Sequence, residues 1–188
     1  MYLCKQIQSM ERLDGAFLFH TNCADIKVCF VTDEIVRVRV AFDRELAEES
    51  YILSTTAWED RLDGLFAAER TRVQPVTPDV TVTDAAITFE TAAVRLVAER
   101  DPLCFKLYDK EGTLLHSDLA GTPYILDSNR RVTHYSAMAE EDCFYGFGEK
   151  TGLLNKNKRF LRERATDAMG YDAEKMDTLY KHIPFYIQ

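Results

Sequence analysis

Few residues in this chain could carry chemistry by themselves. Histidine titrates near neutrality without help, and there are four: His20, His116, His134 and His182. An aldose epimerase would need two of them, with a glutamate, around a sugar's ring oxygen and anomeric hydroxyl. They are scattered. His134 lies in a β-rich stretch, His116 ends another, and His182 sits in a Lys-His-Ile-Pro run, so none falls in a catalytic block. The cysteines are Cys4, Cys23, Cys29, Cys104 and Cys143, an odd number with no CxxC spacing. Neither a zinc site nor a disulfide framework is expected, and the thiols read as structural. Gly146-Phe147-Gly148-Glu149 lacks the third glycine and the helix of a phosphate cradle. Close backbone approach at a corner is its expected use. The run Lys156-Asn157-Lys158-Arg159-Phe160-Leu161-Arg162 mixes cations with an aromatic, as phosphate and base contacts require. Trp58, the sole tryptophan, could stack on a sugar, but a lone amphipathic aromatic more often packs at a core edge.

The elements that must position these residues are strands. In 35–42, Val36, Val38, Val40 and Phe42 fall on one face and Arg37 and Arg39 on the other, the pattern of a half-buried antiparallel strand. Ile26, Val28 and Phe30 alternate upstream. Val80-Thr81-Val82-Thr83 and Ile87-Thr88-Phe89-Glu90 alternate on either side of an Asp84-Ala85-Ala86 turn. Val94, Leu96 and Ala98 follow, then Phe105 and Leu107. Asp109-Lys110-Glu111-Gly112 is expected to turn the chain, with Gly112 free to take a positive φ. Eight or more short strands with turns about every ten residues predict an all-β antiparallel sandwich. Two short helices are expected: one or two turns at 43–49, and 172–182, where Met176, Leu179, Tyr180 and Ile183 have i, i+3, i+4, i+7 spacing and Pro184 would end the helix. Arg-Leu-Asp-Gly occurs at 12–15 and again at 61–64, which reads as recurring turn chemistry. Phe185-Tyr186-Ile187 looks like a strand whose neighbours are missing.

Composition bounds the class. The 188 residues are 46% hydrophobic and 29% charged, the proportions of a folded chain. No apolar run reaches the ~18 residues of a membrane helix, and no signal peptide is visible, so a cytoplasmic location and no membrane partner are expected. Lys+Arg is 23 against 31 Asp+Glu, a net charge of −8. Residues 150–164 hold six basic residues and one acid, so the remainder carries −13. Such a field disfavours nucleic acid, and the basic run is expected to be a solvated face or an interface to an acidic partner.

Three blocks near the end resemble a known family. They are Tyr145-Gly146-Phe147-Gly148-Glu149-Lys150-Thr151-Gly152, then Ala165-Thr166-Asp167-Ala168-Met169-Gly170-Tyr171-Asp172, then Leu179-Tyr180-Lys181-His182-Ile183-Pro184-Phe185-Tyr186. Their order and spacing are similar to the N-terminal domain of glycoside hydrolase family 31, the α-glucosidases and α-xylosidases. The close match spans roughly 144–188, and the upstream strands look compatible with the family's galactose mutarotase-like β-sandwich. The resemblance implies a sandwich domain over 1–150. Residues 151–188 would then be a substrate loop and a lead-in to a (β/α)₈ barrel not contained in this chain.

The family's nucleophile and acid/base lie in that barrel, and nothing here resembles its Asp-Met-Asn-Glu block. A retaining mechanism needs two carboxyls about 5 Å apart, so no catalytic residue is expected here. The resemblance carries one binding residue over: Asp167, preceded by Thr166. A carboxylate offers two acceptor oxygens to neighbouring sugar hydroxyls, and loops on rigid scaffolds commonly present such groups. Where the family often has Trp-Asn before this pair, this chain has Arg164-Ala165. The implied function is the non-catalytic N-terminal domain of a retaining α-glycosidase. The implied partners are a carbohydrate substrate and the barrel of the same full-length chain, and no metal or cofactor is implied. The alternatives are a stand-alone carbohydrate-binding module and an aldose epimerase. The apolar end and a barrel-facing surface would favour association, including homo-oligomers.

Overall fold

In the computed structural model the described residues are 1–46, 53–57, 70–174 and 176–188. Trp58 and the tetrapeptide at 61–64 lie outside them, as do residues 47–49 of the first expected helix. The described part of that helix, 43–46, is turn and bend, with Arg44 at φ 63°. The chain forms two compact units, Met1–Ala137 and Met138–Gln188.

The first unit holds fourteen of the described strands. These are β1 (Tyr2–Leu3), β2 (Ile7–Leu13), β3 (Ala16–Thr21), β4 (Asp25–Phe30), β5 (Val36–Ala41), β6 (Thr55–Thr56) and β7 (Thr71–Arg72). The others are β8 (Asp79–Val82), β9 (Ala86–Glu90), β10 (Val94–Arg100), β11 (Leu103–Asp109), β12 (Leu114–Ser117), β13 (Tyr124–Leu126) and β14 (Val132–His134). One sheet runs β2-β3-β4-β5 and another β12-β11-β10-β9-β8, both antiparallel throughout. A smaller antiparallel sheet runs β1-β13-β14, and β6 pairs with β7 in parallel.

Alternation does what the sequence implied. Phe17, Phe19, Ile26, Val28 and Phe30 from the first sheet meet Ile87, Phe89, Leu96, Ala98 and Phe105 from the second in one buried cluster. Phe89 is the hub. Its ring lies 4.7 Å from Phe17, 5.9 Å from Phe19 and 5.7 Å from Phe30. Each such ring removed from water contributes on the order of 1.5–3 kcal/mol. On β5 the expected inner face is only partly covered, because that strand is the edge of its sheet. Val36, Val40 and Phe42 pack against the core, while Val38 is 36% exposed.

The tight connections share one device. Thr21, Thr83 and Thr91 each accept a hydrogen bond at Oγ1 from the backbone N–H three residues on, at 2.9, 3.0 and 3.0 Å. In each case the threonine's own N–H donates to that residue's carbonyl. The hydroxyl thus replaces a turn hydrogen bond and closes β3–β4, β8–β9 and β9–β10. The Asp109–Gly112 turn forms as expected: Asp109 Oδ1 accepts the Thr113 N–H at 2.7 Å, and Gly112 takes φ 90°.

The second unit is built on β15 (Tyr145–Gly148) and β16 (His182–Ile187), paired antiparallel. This corrects two expectations. The described residues of 172–182 are not helical: they include a Met176 N–H to Asp172 carbonyl bond at 2.9 Å before the chain passes into β16. Residues 185–187 do have a strand neighbour, with Tyr145 opposite Ile187 and Gly146 opposite Tyr186. Pro184 is tolerated inside β16 because β16 lies at the edge of a two-stranded sheet. Among the described residues there is no helix, and none long and apolar enough to cross a membrane.

Candidate functional site

Gly146 and Gly148 set up the second unit. Their φ angles are 119° and 75°. A Cβ at Gly146 would fall 2.6 Å from the Phe185 carbonyl oxygen, and one at Gly148 would fall 2.8 Å from both the Ile183 nitrogen and the Lys181 oxygen. Only glycine lets β15 approach β16 this closely, which is the backbone role expected of the pair. Tyr186 then stacks on Phe147, with centroids 5.1 Å apart and planes 14° apart.

Between the two strands the chain makes a long excursion, and polar side chains tie it down. The buried Lys156 donates to the Thr151 and Leu153 carbonyls at 2.9 and 2.5 Å. Burial, helped by Arg159 and Lys150, lowers its pKa. Lys150 donates to the Arg162 carbonyl and lies 3.2 Å from Glu163. Asn155 Oδ1 accepts the Phe144 and Asn157 N–H groups, both at 3.0 Å. The basic run is therefore only partly a solvated face. Two of its lysines are internal struts, whereas Lys158 and Phe160 are exposed.

Asp167 sits in the return half of this excursion. The Thr166 N–H donates to the Leu179 carbonyl at 2.8 Å, and the Arg162 N–H donates to Asp177 Oδ2 at 2.7 Å. Ala168, the next residue, is 3% exposed. The peptide around Asp167 is thus held on both sides, while Asp167 itself is exposed. Among the described residues no hydrogen bond or ion pair engages its carboxylate. A charged acceptor held on braced backbone and facing water suits hydroxyl recognition. Thr166 is half-buried beside it.

In the first unit the fold assembles a group that sequence reasoning missed. His116 and Asp118 lie two residues apart at the end of β12, and His134 ends β14. His134 Nε2 is 2.8 Å from Asp118 Oδ1, and His116 Nε2 is 3.6 Å from the same oxygen. The other carboxylate oxygen accepts the Phe105 N–H at 3.2 Å. Burial acts to raise the Asp118 pKa, but hydrogen bonds from His116 and His134 and the Phe105 N–H outweigh it and hold the carboxyl below its ordinary range. Tyr124 stacks on His134, centroids 4.9 Å apart, and burial next to Asp118 pushes its hydroxyl pKa up. These groups line a cavity of about 230 Å³ with Val36, Leu96 and Leu107 among its apolar walls. The readable signal was the His116-x-Asp118 spacing, which puts both side chains on one face of a strand.

The remaining sequence candidates stay apart. His20 faces Asp25 at 3.0 Å, beside an Arg44–Asp25 pair at 2.6 Å, and His182 pairs with Gly148 in β16. Cys4, Cys23, Cys104 and Cys143 are free thiols.

The family model described as the glycosyl hydrolase 31 N-terminal galactose mutarotase-like domain matches residues 25–188. An alpha-glucosidase 2 of Bacillus thermoamyloliquefaciens is 28% identical over 182 residues, spanning 96% of this chain and 21% of that protein. Among solved structures, a GH31 dextranase of Flavobacterium johnsoniae, complexed with glucose, superposes with a TM-score of 0.75 at 18% identity, over 100% of this chain and 21% of that one. A GH31 alpha-xylosidase of Xanthomonas citri gives 0.60 at 16% identity, over 79% and 16%. These structural likenesses show the fold. The chain spans about a fifth of the length of the relatives it matches.

Proposed function

The chain belongs to the glycosyl hydrolase 31 N-terminal galactose mutarotase-like domain family, and from that premise we propose that it serves as the non-catalytic N-terminal domain of a retaining α-glycosidase acting on α-linked glucosides or xylosides. The sandwich packs on a catalytic barrel carried by the same full-length chain. The stretch 151–188 supplies a loop to the substrate pocket and leads into that barrel through β16. Asp167 accepts hydrogen bonds from sugar hydroxyls near the cleaved bond, with Thr166 fixing the peptide before it.

One observation carries this reading: an exposed, unengaged Asp167 carboxylate on backbone braced at Thr166 and Ala168, in a chain whose match to the family runs through both. The chemistry of bond cleavage belongs to the barrel. What this domain contributes is shape, exclusion of water and one preorganised acceptor.

The test uses the domain joined to its barrel. Asp167→Ala should lower kcat/KM by between about 10-fold and about 150-fold, the equivalent of ~1.5–3 kcal/mol for a hydrogen bond to a charged group. Unchanged kcat/KM removes Asp167 from the pocket. The 188-residue chain alone should neither hydrolyse an aryl α-glucoside nor hold a free sugar. Measurable sugar affinity would favour a stand-alone binding module, and faster interconversion of hexose anomers would favour an epimerase.

A further inference from the structure

We propose that His116, Asp118 and His134 form a binding site for a divalent transition metal, with zinc the best-matched ion, independent of the Asp167 loop. Their donor atoms, one from each residue, all lie within 4.8 Å of one another. A tetrahedral zinc with bonds of about 2.0–2.1 Å separates its donors by roughly 3.3 Å. The two separations from Asp118 Oδ1, 2.8 and 3.6 Å, straddle that value. The third pair, His116 with His134, is held only within 4.8 Å, so the two imidazole tips would have to draw together by up to about 1.5 Å to complete the site.

The support around the donors is that of a built site. The far oxygen of Asp118 is fixed by the Phe105 N–H at 3.2 Å, which holds Oδ1, the oxygen that His134 Nε2 approaches at 2.8 Å, toward the two imidazoles. Tyr124 stacks on His134 and sets its ring plane, 17° from parallel. Groups of this kind orient ligands in metal sites. The Asp118 side chain is 2% exposed, whereas those of His116 and His134 are 33% and 43% exposed, so an ion can enter from the histidine side. Two imidazoles and one carboxylate favour zinc over magnesium or calcium, which take oxygen donors. The fourth position opens on the 230 Å³ cavity, where a water would complete the tetrahedron. Ligation needs the Nε2 lone pair of His134, so an imidazole protonated at Nε2 would have to carry that proton on Nδ1 or release it as the ion binds.

The experiment is calorimetric titration of zinc chloride into the chelator-stripped 188-residue chain at neutral pH. Nitrogen-15 histidine NMR is recorded on the same samples, and cobalt chloride serves as a second, coloured probe. The expected result is one ion per chain, with the Nε2 resonances of His116 and His134 moving while those of His20 and His182 stay. His116→Asn and His134→Asn should each weaken binding by at least about 100-fold, more than the loss of a supporting group. A Cys4→Ser/Cys23→Ser variant should bind as the parent does. No saturable binding would overturn the proposal, as would binding that survives loss of both histidines or depends on the cysteines. The NMR shifts in the unmutated chain decide the matter even if a variant fails to fold. A null result leaves Asp167 untouched, since the sugar experiment reads a different unit.

Discussion

At the residue scale, environment decides what each polar group can do. Cys23 and Cys143 are both half-buried free thiols, yet they should differ in reactivity. Burial, with the Cys4 thiol 3.5 Å away, pushes the Cys23 pKa up to about 12. The thiolate is the nucleophile, so at mildly alkaline pH Cys23 stays protonated, and its alkylation rate should keep rising with pH up to about 12. Burial raises Cys104 as well, and Cys4 and Cys29 are buried. Brief iodoacetamide treatment followed by peptide mass mapping should find Cys143 modified first, and equal labelling of Cys23 would refute this ordering. Asp167 is the complementary case. Its residue type and loop position were readable from the sequence, but the bracing that fixes it comes from Leu179 and from the burial of Ala168. The same holds for Lys156, which reads as a surface cation and turns out to be a strut between two carbonyls.

At the scale of elements, local pattern succeeded where strands pair with near neighbours. The Asp109 turn, the 83–86 turn and the β9–β10–β11 meander lie in consecutive sequence, so alternation and turn residues sufficed. It failed at 172–182. Met176, Leu179, Tyr180 and Ile183 satisfy a helical period, but an eleven-residue helix is marginal without packing. Here the Lys181 N–H and carbonyl are taken by Glu149, at 3.1 and 3.0 Å, and β16 pairs with β15. A strand partner more than thirty residues away outweighed a weak local preference. Gly148 is the hinge of that pairing. Gly148→Ala adds a Cβ at φ 75° against two backbone atoms, one of them the Lys181 oxygen. Left-handed backbone alone costs a non-glycine residue about 1–2 kcal/mol, and the clash adds to it. Limited proteolysis should show faster cutting within 149–181 in this variant, with the first unit unaffected. Cutting at the parental rate would show that β15 and β16 do not need the close approach.

At the scale of the whole molecule, the second unit ends on an apolar edge. In β16, Ile183 is 52% exposed, Phe185 64% and Ile187 60%, and an edge strand of this kind invites association. Light scattering on the 188-residue chain should show apparent mass rising with concentration, and attachment of a barrel should suppress the rise. A concentration-independent monomer would count against that surface being an interface. The sequence by itself determined the all-β class, the inward face of most strands, the glycines at the β15–β16 approach and, through three ordered blocks, the family. Each of these depends on local stereochemistry or on short runs of residue types. The tertiary structure alone decided which distant residues meet. His116 and Asp118 share a strand face by simple period, but His134 joins them only because Asp118 bridges to Ser136 and Tyr124 pairs with His134. Strand register between segments far apart in the chain is set by the burial of the whole sandwich, and no local pattern encodes it.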